Sequence, residues 1–101
     1  MTDGRALQPI HFITINYHCS EFIIGLIEDT IASEEPDLRF IVVNNSPQDI
    51  GVKDWLASTP HRQRVTLIEA GGNLGFGSGC NLGLSHVWQS DRQAVAWLIN
   101  P

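Results

Sequence analysis

The sequence predicts an α/β fold, a mainly parallel sheet with helices on both faces. Three observations predict it. Short β-rich apolar runs alternate with segments of helical periodicity; the later runs are apolar without interruption; and polar or glycine clusters recur where each run ends. At 101 residues there is room for one small domain with a single modest core. A content of 43% hydrophobic and 17% charged residues is that of a globular chain, well away from the polar, charged regime of disorder.

Residues 11–16 (HFITIN) form the first predicted strand, leading into Ser20 as a helix cap and the apolar positions Phe22, Ile23, Leu26, Ile27 and Ile31 of a first helix. A break at 34–37, containing Pro36, precedes residues 40–43 (FIVV), whose unbroken apolar character suits a central strand covered on both faces. The polar turn 44–49 (NNSPQD) follows. Val52, Trp55 and Leu56 then recur at helical spacing until 58–60 ends the segment. Residues 65–69 give a third, shorter strand. The glycine-laden stretch 71–83 feeds a helix in which Cys80, Leu84, Val87 and Trp88 form one apolar stripe, and 94–99 (AVAWLI) closes as another buried strand.

Strands alternating with helices in this way imply right-handed crossovers in a parallel sheet. In such sheets ligands bind beyond the carboxyl ends of the strands, which makes 16–18, 44–49, 71–79 and 100–101 the informative positions. All the polar and glycine clusters fall there.

The bulk chemistry excludes several function classes. A net charge of −5 with only six Lys and Arg provides no extended basic face for a nucleic acid, although one bound phosphate group is compatible with it. Cys19 and Cys80 are too few for a disulfide framework and lack CxxC spacing, which points to thiols in a reducing, cytosolic compartment. Neither an export signal nor an apolar run of about eighteen residues is expected. His11, His18, His61 and His86 have no HxxxH spacing, so no zinc site is expected, and the neighbours His18 and Cys19 do not by themselves make a base and nucleophile.

The strongest local signal is 73–84 (NLGFGSGCNLGL). Gly75, Gly79 and Gly83 are four apart, so a helix beginning near Gly77 puts the last two on one face, where backbone can approach a strand or a ligand closely. Tight helix-on-sheet packing explains the glycines equally well. A dinucleotide fingerprint fails, because Cys80 and Leu82 stand where GxGxxG needs glycine and no acidic residue follows some twenty positions on; no GKS or GKT follows to make a P-loop. In the 44–49 turn, Ser46 as cap, Pro47 at the first helical position and Asp49 three residues on resemble a capping box, so Asp49 carries a structural reading beside a binding one. Asn44 and Asn45 are less easily explained by capping. Tyr17 is an aromatic at the carboxyl edge, suited to a base contact, although an aromatic there more often serves packing.

Taken together, Ile15, Asn16 and Tyr17, then Ile41 to Asn45 (IVVNN), then Asn73 to Gly77 (NLGFG) with Asn81, Leu82 and Gly83, and finally Leu98, Ile99, Asn100 and Pro101 resemble the family 2 glycosyltransferases, especially the rhamnosyltransferase-like branch. Four motifs appear in order over nearly the whole chain. The resemblance implies a Rossmann-like GT-A nucleotide-binding half-domain over 1–101 that binds a nucleotide-diphosphate sugar. A divalent cation, Mg or Mn, would sit on the diphosphate, and the full-length enzyme would transfer the sugar to a glycan or other acceptor with inversion. It also implies nucleotide-sugar contacts from Asn16 and Tyr17 at the base, from Asn44, Asn45 and Asp49 in the second turn, and from Asn73, Gly77 and Asn81 along the cleft.

Two departures alter that expectation. Asn44 stands where the family usually has Asp; it donates and accepts hydrogen bonds but carries no charge. Asn100 and Pro101 match the segment just before the family's metal-binding aspartate, so the 101 residues alone are expected to hold no cation and to catalyse no transfer. An open sheet edge is expected to favour homo-oligomers. The alternative is a non-catalytic binding or assembly module that keeps the fold.

Overall fold

In a computed structural model describing residues 10–32, 38–90 and 95–99, seven main elements alternate along the chain: β1 (Ile10–Asn16), α1 (Ser20–Ala32), β2 (Leu38–Asn44), α2 (Gly51–Leu56), β3 (Val65–Glu69), α3 (Gly75–Ser90) and β4 (Val95–Ile99). A single 3₁₀ turn, Arg62–Arg64, leads into β3. The four strands are all parallel, in the order β3-β2-β1-β4, which is a Rossmann-like α/β topology.

Because side chains alternate across a strand, each face of the sheet collects its own set of apolar residues. Phe12, Leu38, Phe40, Val42 and Val65 meet Ile23 and Ile27 of α1 and Val52 of α2 on one face. Ile13, Ile15, Ile41 and Val43 meet Cys80 and Val87 of α3 on the other. β2 is buried on both faces, which is why its sequence reads as continuous apolar residues rather than as an alternation. The Phe12 and Phe40 rings stack with centroids 5.4 Å apart in the first layer. Ile23 and Ile27, one turn apart, are the fully buried pair of α1, and each contributes about 2–3 kcal/mol by leaving water.

The glycines of 73–84 serve both sequence readings at different positions. A Cβ on Gly79 would meet Ile15 Cδ1 at 3.0 Å, and one on Gly83 would meet Ile13 Cγ2 at 2.5 Å, so these two let α3 lie directly on β1. Gly75 has φ +80°, a left-handed conformation that side chains disfavour, and α3 starts there rather than near Gly77.

Three expectations are corrected. β4 is not a buried strand: it is an edge, and Val95, Trp97 and Leu98 are exposed, Trp97 by 63%, although its ring still lies 5.7 Å from that of Phe12. An apolar run marks an edge strand as readily as a central one, because pairing on one side and a short length leave half of it uncovered. Trp88 falls outside the α3 stripe, and Phe22 outside the buried face of α1; both are exposed. No capping box forms at Ser46, because α2 begins at Gly51 with Ile50 before it and no side-chain cap. Instead, residues 46–49 close a turn through Asp49 N donating to Ser46 O at 2.8 Å. Among the described residues no helix is long and apolar enough to cross a membrane.

Candidate functional site

The parallel register puts the last residues of three strands side by side: Asn16 pairs with Asn44, and Asn44 with Glu69. All three point to the α1 face, where they form a polar ladder that ends the apolar layer beneath. Asn16 Nδ2 donates to Asn44 Oδ1 at 3.0 Å, and Asn44 Nδ2 donates to Glu69 Oε1 at 2.8 Å. Asn44 Nδ2 also donates to Asp49 O at 3.2 Å, and its Oδ1 accepts from Ser46 N at 3.2 Å. The Asn44 amide, only 4% exposed, thus uses both donors and accepts twice.

Asn16 performs the same service for the turn out of β1. Its Nδ2 reaches Asp49 Oδ2 at 3.1 Å, and its Oδ1 accepts from Cys19 N at 3.0 Å. Between them His18 adopts φ 55°, a left-handed conformation unusual outside glycine, and its N–H is held by Ser46 Oγ at 2.9 Å. The first turn is therefore fastened to the second by two side chains, Asn16 and Ser46.

Asp49 closes the network. Its Oδ1 accepts from Gly51 N at 3.0 Å, ahead of α2. That hydrogen bond, with help from the Asn16 and Ser20 side chains, holds its carboxyl below the ordinary 3.8 against the opposing effect of burial. A depressed folded-state value means stability that is present above 3.8 and lost as pH falls through the folded value. Asp49→Asn is expected to cost about 1 kcal/mol at pH 7, and the deficit to narrow as pH falls below 3.8, measured by urea unfolding on both sides of that value. An unchanged gap at low pH would show that the charge is not what the turn uses.

Above this network, at the carboxyl ends of β1 and β2, opens a cleft of about 430 Å³ lined by Ile15, Tyr17, Cys19, Asn45, Asn73, Gly75 and Phe76. It continues over Tyr17, Asn45 and Asn73 into a second hollow of about 260 Å³ floored by Ser46 and Pro47. The loops after β1 and β2 turn towards α1 and α2, whereas the segment after β3 turns to α3 on the opposite face, and the cleft lies where they part.

Asn45 is its fixed polar group. Its Nδ2 donates to Gly75 O at 3.2 Å, which sets the orientation of the amide in the cleft wall. That oxygen is buried and has no donor among the described residues. Tyr17 is 56% exposed, its ring set edge-on to His18 at 4.7 Å, and Phe76 is exposed across the cleft. Asn73 Oδ1 accepts from Gly75 N at 3.0 Å, an Asx turn that shapes the entry to α3.

The eight candidate positions thus separate into three groups. Tyr17, Asn45 and Asn73 line the cleft; Asn16, Asn44 and Asp49 build the network under its rim; Gly77 and Asn81 lie exposed on α3 outside the lining. Ser46, Glu69, Cys19 and Phe76 were missed as site residues. Glu69 had a signal, as the last residue of a strand in line with two terminal asparagines. Cys80, buried under α3, has its thiol pushed up by burial. Among the described residues no group of three His, Cys, Asp or Glu could hold a metal; positions 100–101 lie outside those residues. No protein-family model matches the chain, and no curated protein matches it in sequence.

Proposed function

We propose that this chain is the nucleotide-sugar-binding part of an inverting family 2 glycosyltransferase with a GT-A fold. The observation that carries this reading is the Asn45 Oδ1 acceptor, buried and without a donor among the described residues, beside a cleft at the carboxyl ends of β1 and β2. A buried acceptor left bare costs about 1–3 kcal/mol, and a base N–H or ribose hydroxyl would satisfy it. Tyr17 and Phe76 offer aromatic surface for a base on either side. Among the described residues the lining contains no Lys or Arg, so the diphosphate would be met by the N–H groups opening α3 and by a cation brought with the nucleotide. The order of four sequence motifs supports the same family.

A second reading, a binding or assembly module without chemistry, is favoured by one observation: Asn16 and Asn44 spend their amides inside the protein. Calorimetric titration with UDP, dTDP and GDP, with and without manganese, separates the two. The glycosyltransferase reading expects one nucleotide to bind with a dissociation constant of the order of millimolar or tighter. It also expects Tyr17→Ala to weaken that binding roughly fivefold, the loss of about 1 kcal/mol of stacking. No heat with any nucleotide, in either condition, would leave the module.

A further inference from the structure

The two edges of the sheet differ in chemistry. β3 begins directly after Arg64 and ends on Glu69, charges of the kind that keep a strand edge from pairing with another chain, whereas β4 reads VAWLI, with no charge, proline or polar side chain. Register with β1 puts Val95 and Trp97 on the α1 face beside Ile10 and Phe12, and Leu98 on the α3 face beside Ile13; all three are exposed. Trp88, also exposed, extends this surface along α3. His86 and Ser90 face Arg64 and Thr66 on the β3 side, and Trp88, just over half a turn round the helix from each, leans to the β4 side one turn beyond the partly buried Leu84. We propose that β4 is a self-association edge, at which a second copy of this chain adds its own β4 antiparallel about a two-fold axis through Trp97.

Charge favours a copy of the same chain as the occupant. Of the eleven acidic and six basic residues, all but Asp91 and Arg92 fall within 1–69, so that part carries the whole net charge of −5 and the remainder is neutral. Two copies repel over most of their surface and can meet without repulsion on the flank formed by α3 and β4, while a basic partner would find its attraction elsewhere. The strand also matches itself. A two-fold axis at Trp97 sets that ring opposite its own copy, Val95 opposite the second copy's Ile99, and Ala96 opposite the second copy's Leu98, apolar against apolar at every step and small against large on the α3 face. Trp97 is already braced for this by Phe12, 5.7 Å away. The exposed parts of Trp88, Val95, Trp97 and Leu98 amount to roughly 400 Å² per copy, and with the strand backbone two copies bury about 1,000 Å², the lower bound for a specific interface. The expected dimer is therefore weak, with a dissociation constant of the order of 100 µM.

The test is sedimentation equilibrium of the full chain from about 10 µM to 1 mM, paired with amide hydrogen exchange at both ends of that range. A closed monomer–dimer equilibrium is expected, with protection at 95–99 rising with concentration while that of β3 stays constant. Trp97→Lys sets two like charges opposite each other and should weaken the dimer at least tenfold. If that variant does not fold, Leu98→Lys carries the comparison with the same expectation, and Leu82→Lys, an equal change at an exposed position on the other flank of α3, should leave the dimer within twofold. A chain that stays monomeric at 1 mM would leave the edge to some other occupant and overturn the proposal. Open-ended association, equal loss from the Leu82 variant, or protection gained at 65–69 instead of 95–99 would overturn it as well. Nucleotide binding enters none of these readouts, so the outcome is independent of the proposed transferase function.

Discussion

Gly83→Ala is expected to lower stability by about 2 kcal/mol, roughly 10 °C in Tm for a domain of this size, while Gly77→Ala, six residues earlier in the same helix, raises it by about 0.5–1 kcal/mol. The two glycines differ only in what their missing side chains face. A Cβ at Gly83 would sit 2.5 Å from Ile13 Cγ2, an overlap that Ile13 cannot relieve by a rotamer change, since it is β-branched and 1% exposed on the inner strand β1. Either α3 lifts from the sheet or β1 shifts, and overpacking of this kind costs about 1–3 kcal/mol. Better helix propensity returns up to about 1 kcal/mol of that, so Gly83→Val, which lacks that return and adds two methyl groups, should cost at least about 3 kcal/mol. That is a large share of the 5–15 kcal/mol such domains possess. Gly77 has nothing within 4 Å of the added carbon and no positive φ, so alanine there only lowers the entropy of the unfolded chain and supports the helix. Urea unfolding of the three variants reads both signs; a Gly83→Ala protein as stable as the parent would mean that α3 does not seat on Ile13.

The same glycines show where sequence reasoning reaches and where it stops. A spacing of four residues is a one-dimensional fact about a helix, so it foretold which glycines share a face, and the alternation of apolar runs likewise foretold seven elements and their parallel order of type. Exposure of β4 was not legible, because an apolar pentapeptide has the same composition whether one or both of its sides are covered. The 46–49 turn was misread for a related reason: Ser46, Pro47 and Asp49 fit a capping box locally, and only the proximity of His18 N and Gly51 N decides that Ser46 fastens the first turn while Asp49 turns the chain into α2. That Tyr17, Asn45 and Asn73 would border a cleft was legible, because cleft positions in parallel sheets follow from where the strands end.

The polar ladder turns the unusual Asn44 into a physical requirement, and it makes Asn44→Asp an informative substitution. In the family that the motifs resemble, aspartate is usual at this position; here Glu69 supplies the carboxylate one strand over, 2.8 Å from the Asn44 amide. An aspartate at 44 would lose both donors, leaving Asp49 O without its partner, and would set a second carboxylate against Glu69 and close to Asp49. The expected loss is about 2–3 kcal/mol at pH 7, the cost of stranded acceptors and a buried charge. Its pH dependence follows from the sign of the perturbation. Burial and two like charges raise the new carboxyl above its unfolded value, so the penalty is full above the folded value and vanishes below the unfolded one, near 4. The stability gap between variant and parent should therefore narrow from pH 7 to pH 5, a window in which the parent is undisturbed because the depressed Asp49 keeps its contribution down to 3.8. Adding Glu69→Gln gives the ladder a donor again from the other side, and the double variant should recover about 1 kcal/mol relative to the sum of the single changes. A gap that stays constant with pH, together with additive single effects, would show that Asn44 and Glu69 are neighbours without being partners, and that the rim of the cleft is held by Asn16 and Ser46 alone.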